Sequence, residues 1–78
     1  MKLEAAVRHF DYLLSRWDDE REYESWAEYQ DAMRRFLAQA GCELVQMTEE
    51  RLQYKDNGKL VEVLVREGLL FPSVKTLQ

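Results

Sequence analysis

Three groups of side chains in this 78-residue chain are of types that could do chemistry. Cys42, the only cysteine, could be a nucleophile if a base drew off its proton. His9, the only histidine, could be such a base. The carboxylates of Asp18, Asp19, Glu20, Glu22 and Glu24 could ligate Ca²⁺ or Mg²⁺, which favour oxygen donors. None of the three has the spacing its chemistry needs. No second histidine exists, and no Ser or Cys is tied to His9 by spacing. Cys42 follows Gly41, a natural helix stop, where a small buried hydrophobe fits. The acidic run lacks the glycine and the spaced terminal glutamate of an EF-hand loop. The sequence predicts no catalytic residue, no metal site and no cofactor.

The acidic run has another use. Residues 16–31, RWDDEREYESWAEYQD, place carboxylates among large aromatics. From 18 to 31 there are seven acids and one base, a net −6, whereas the remaining residues hold ten bases and eight acids, a net +2. Such a patch repels nucleic acid and anionic membrane and suits a basic protein surface. The predicted partner-binding residues are Asp18, Asp19, Glu20, Glu22, Tyr23, Glu24, Glu28 and Asp31. Tyr23 falls outside both helical seams described below, so it is the aromatic most free to anchor a partner.

Two helices must position these groups. Leu3, Val7, Phe10, Leu14 and Trp17 step by 4, 3, 4 and 3, with Ala6 and Leu13 widening the stripe, which predicts an amphipathic helix over 2–17. Trp26, Tyr29, Met33, Phe36 and Ala40 repeat the pattern. Ser25 and Glu28 supply a capping box at its start and Gly41 a left-handed stop. The short linker makes the two helices an antiparallel pair.

After Gly41 the period changes to two. Asn57–Gly58 is the strongest hairpin signal in the chain. It pairs Asp56 with Lys59, Tyr54 with Val61 and Leu52 with Val63. A turn at Glu49–Glu50 sets Met47 against Leu52 and Val45 against Tyr54. Both turns put Val45, Met47, Leu52, Tyr54, Val61 and Val63 on one face. The predicted fold is α+β in one domain spanning 1–78, with a helix hairpin on one face of a three-stranded antiparallel meander, in the order ααβββ. The apolar tail GLLFPSVKTLQ follows as a short edge strand or a cover for the second sheet face. Leu44, Leu60 and Leu64 of that face, with Leu69, Leu70 and Phe71 of the tail, form a predicted oligomer interface.

A lone cysteine, no apolar run of about 18 residues and no leader-like N-terminus predict a soluble cytoplasmic protein. The leading expectation is a small acidic, non-enzymatic module that inhibits a partner protein by occupying a basic site on it; where that site normally holds nucleic acid, the carboxylates imitate phosphate charge. In size and charge the chain resembles small acidic domains found among phage-encoded inhibitors of host systems and among antitoxins. The alternative is a scaffold subunit that forms a homo-oligomer, such as a two-fold homodimer, through sheet face and tail. Two helices before a basic-edged hairpin also share the plan of a winged helix. The missing third helix, Glu28 and Asp31 on the would-be recognition helix, and a pI near 4.9 argue against direct nucleic-acid binding.

Overall fold

The computed structural model describes residues 2–19 and 25–76. Two helices, α1 (Leu3–Asp19) and α2 (Trp26–Ala38), precede four strands, β1 (Glu43–Met47), β2 (Arg51–Asp56), β3 (Lys59–Arg66) and β4 (Leu69–Thr76). The strands form one antiparallel sheet in sequential order. The architecture is α+β, with four strands where three are predicted. The tail is the fourth strand, and it lies at an edge.

Each helix buries the centre of its apolar stripe. Ala6, Phe10 and Leu13 are buried from α1, and Tyr29, Met33 and Leu37 from α2. These residues meet Met47, Leu52, Tyr54, Val61 and Val63 of the sheet in a single core. Trp17 packs edge-on against Trp26 and Tyr29, at 5.2 and 5.4 Å between ring centroids, while His9 lies over Phe36. Low numbers on α1 therefore meet high numbers on α2, so the pair is antiparallel.

The start of α2 is at Ser25, but the Ser25 half of the predicted capping box is not formed. Ser25 has extended backbone and makes no side-chain cap bond; its carbonyl accepts from the Glu28 amide at 3.1 Å. The stop is as expected. Gly41 has φ +75°, and the amides of Gly41 and Cys42 donate to the carbonyls of Ala38 and Leu37 at 3.0 Å. That pair of bonds is the Schellman ending, which needs a residue tolerant of positive φ.

The β2–β3 hairpin has the register predicted, from Asp56 opposite Lys59 to Leu52 opposite Val63. Asn57 and Gly58 both take positive φ, 50° and 78°, as a type I′ turn requires. The first hairpin departs from prediction. Met47 does face Leu52, but Leu44, not Val45, faces Tyr54, because a bulge falls between Leu44 and Gln46. The extra residue reverses the alternation. Val45 is turned out, 48% exposed, and Leu44 packs on the core.

The tail takes the edge-strand alternative, but the turn that joins it to β3 as a hairpin was not predicted. That turn is Glu67–Gly68, again with two positive φ values, 53° and 78°. Arg66 pairs with Leu69, Leu64 with Phe71 and Val63 with Pro72. Leu70 lies beside Val65, and Leu44 and Leu70 of the predicted oligomer interface both pack against the core. Leu60, Leu64, Leu69 and Phe71 share the outer face by register.

Candidate functional site

His9 and Cys42 sit in different surroundings. The His9 ring stacks on Phe36 at 4.0 Å with 8° between planes, and burial holds its pKa below the usual histidine value. Cys42 is buried, its Sγ 3.9 Å from the Ala40 carbonyl oxygen. Burial and the neighbouring Asp56 carboxylate push its thiol up, away from the thiolate that nucleophilic attack needs. Among the described residues no three His, Cys, Asp or Glu side chains are grouped to hold a metal ion.

The predicted partner-binding residues separate. Glu20, Glu22, Tyr23 and Glu24 lie outside the described residues. Asp18 and Asp19 are exposed in the last turn of α1. Carboxylates there face the negative end of the helix dipole, so capping does not explain them. Asp31 is paired within its own helix, with Arg34 at 3.5 Å and Arg35 at 3.1 Å, and Glu28 is exposed in the first turn of α2. Asp31 therefore has cationic neighbours of its own.

Asp11 and Glu49, which are not among the predicted partner-binding residues, join Asp18. A depression of about 220 Å³ lies between α1 and the turn-bearing end of the sheet. Asp11, Asp18 and Glu49 contribute its carboxylates, and Leu14, Val65 and Leu70 its apolar lining. Glu49 is held by the Trp17 indole, whose Nε1–H donates to Oε1 at 2.8 Å. The turn carrying Glu49 is itself fixed. The Thr48 amide donates to the Arg51 carbonyl at 2.8 Å, and the amides of Glu50 and Arg51 donate to Thr48 Oγ1. Three acids over aliphatic side chains suit a lysine or arginine, whose apolar stem and charged head need both surfaces.

The same flank of α1 borders a second notch farther toward the helix start. It measures about 250 Å³ and is lined by Leu3, Glu4, Val7, Arg8 and Pro72. Residues 3, 4, 7 and 8 line this notch with Pro72, and 11, 14, 15 and 18 line the acidic one with Leu70. α1 thus runs antiparallel to β4 along one groove, apolar at one end and acidic at the other. Recognition of β4 from sequence would have revealed it; the signals were Gly68 and the position of Pro72.

A larger depression, about 620 Å³, lies at the β1–β2 turn. Glu49 and Glu50 line it together with Arg51 and Arg66, so its charges are mixed. No protein-family model, curated protein or solved structure matches the chain.

Proposed function

We propose that the chain is a small, non-enzymatic protein-binding module that presents carboxylates to a basic segment of a partner. One observation carries this reading: Asp11, Asp18 and Glu49, from two separate elements, line the same depression as Leu14, Val65 and Leu70. Lone exposed carboxylates are ordinary; carboxylates gathered beside an apolar floor fit a long cationic side chain. The acids of 20–24 follow directly in sequence after Asp18 and Asp19 and add to the negative field. Where the partner's basic site normally holds nucleic acid, occupying it makes the module an inhibitor.

The test is affinity capture from a native lysate with two baits, the parent chain and an Asp11→Asn, Asp18→Asn, Glu49→Gln variant. The parent is expected to retain a basic protein that elutes with salt, and the variant to bind it at least tenfold more weakly. Equal retention by both baits at low and high salt would remove the acidic groove from function.

A second reading rests on the outer sheet face, where Leu69 and Phe71 are 60% and 50% exposed beside Leu60 and Leu64. It makes this face a contact between copies of the chain, and light scattering across protein concentration tests it.

A further inference from the structure

The groove between α1 and β4 lies beside an open sheet edge. The Val65 amide donates to Glu50 O at 2.8 Å, on the β2 side. Strand parity then turns the even-numbered residues of β3 toward β4, and the hydrogen-bonded pairs of that ladder are Arg66–Leu69, Leu64–Phe71, Glu62–Ser73 and Leu60–Lys75. The backbone groups of Leu70, Pro72, Val74 and Thr76 therefore point outward, away from β3. Pro72 has no N–H, so its position in the strand is compatible only with this parity.

The side chains of those outward residues lie on the helix-bearing face, opposite Val65, Val63, Val61 and Lys59. A strand added beside β4 would pair its in-facing residues with Leu70, Pro72 and Val74, and their side chains would turn toward α1. The residue opposite Pro72 then meets the apolar notch of Leu3 and Val7. The residue opposite Leu70, two positions along, reaches across it toward Asp11, Asp18 and Glu49. Val74, 49% exposed on the same face, offers a further apolar contact.

The geometry points to β4 as the docking edge for an extended segment of a partner protein, added as a fifth strand, with an apolar and a basic residue two positions apart on its α1-facing side. This rests on the acidic-groove reading and specifies the partner's conformation and spacing. Charge complementarity selects the occupant, because Asp11, Asp18 and Glu49 gather at one end of the groove, whereas Glu4 at the other end is paired with Arg8 at 3.9 Å. In the antiparallel orientation the apolar residue precedes the basic one. Pro72 deprives the edge of one donor, so one carbonyl of any added strand is left unpaired opposite it, and the register is set by the apolar and acidic notches instead.

The test uses the full chain and an acetylated, amidated peptide, TVTLTRT, whose leucine and arginine would lie opposite Pro72 and Leu70. Titration of the ¹⁵N-labelled protein is expected to shift the amides of Leu70, Val74 and Thr76 and to slow their hydrogen exchange. N-methylation of the peptide's leucine and arginine amides, which would face β4, should weaken binding at least tenfold. N-methylation of the threonine between them, which would face away, should leave binding within about threefold. Val74→Pro in the protein should weaken binding as N-methylation does, and the peptide measurements stand whether or not that variant folds. The acids are read separately by changing the peptide's arginine to glutamate and by the neutralised protein variant. If binding depends on charge but is indifferent to N-methylation and leaves the β4 amides unmoved, the fifth strand is overturned and the acidic groove stands. If the β4 amides move but charge has no effect, the acidic groove falls, and with it the basic residue of the motif. Absence of any shift at millimolar peptide overturns the proposal.

Discussion

Among the turn residues with positive φ, substitutions at Gly58 and Glu67 should have opposite effects. At Gly58, φ is +78° and an added Cβ would meet nothing within 4 Å, so any penalty comes from the backbone alone. Gly58→Val should cost on the order of 1–2 kcal/mol in chemical denaturation. At the matching first position, Asn57 has φ 50° and is well suited to it. Glu67 occupies that position in the β3–β4 turn, at φ 53°, without that tolerance. Glu67→Asn should therefore stabilise by about 0.5–1 kcal/mol; a lower midpoint would show that Glu67 does something the turn needs. Tyr54 gives a pH signature. Burial, with the neighbouring Cys42 and Asp56, raises its phenol to about 12 from the usual 10. The unfolded chain loses this proton first, so stability is full below pH 10 and falls as pH rises from 10 toward 12. Tyr54→Phe should remove this component of alkaline unfolding, seen as a flatter dependence of the denaturation midpoint over that range.

At the scale of elements, what could be read from the sequence divides according to how local its cause is. The β2–β3 hairpin was legible because Asn57–Gly58 states its own turn geometry and thereby every pairing that follows. The helix seams were legible because periodicity depends only on which face is buried. The bulge at Val45 was not, since Leu44 and Val45 are adjacent and both apolar, Val45 is the one in phase with Met47, and only the packing of Leu44 against the core decides otherwise. α2 adds a non-local constraint at this strand: the Trp26 indole and the Gln30 amide both donate to the Met47 carbonyl, at 3.1 and 2.9 Å. β4 was legible only as one of two alternatives, an edge strand or a cover for the second sheet face, because Glu67–Gly68 is a weak turn signal. The candidate site inherited that gap: Asp18 was found by composition, but Asp11 and Glu49 join it only across α1, the β1–β2 turn and β4. The strand is structural as well as a candidate docking edge. Leu70 packs on the core and Pro72 borders Leu3 and Val7. Removing residues 69–78 should therefore unfold or aggregate the protein; a truncated chain that remains monomeric with an unchanged melting temperature would show that β4 contributes only a surface.

At the scale of the whole molecule, the sheet has two edges and treats them differently. α2 side chains cap a β1 carbonyl at one edge, while β4 is left open at the other with eight residues, most of them exposed. An open edge with exposed Leu69, Phe71 and Val74 invites pairing with a second copy. In a two-fold antiparallel pairing centred on Ser73, the backbone of Val74 would face Pro72 of the other copy. Each Val74 amide could still donate to the opposite Pro72 carbonyl, but each Val74 carbonyl would find no donor. Burying that acceptor unpaired costs about 1–3 kcal/mol each time, and symmetry makes it happen twice. Pro72→Thr would supply both missing donors. It should leave the monomer's own ladder intact, because position 72 points away from β3. Monomer stability should then change little while self-association rises, read as a concentration-dependent increase in mass by sedimentation or light scattering, beyond that of the parent chain. The same variant should bind the extended peptide at least as tightly, since an added strand gains a donor too. A Pro72→Thr protein with the parent's mass at every concentration would mean that side-chain crowding along β4, not the missing amide, keeps the edge from pairing with itself.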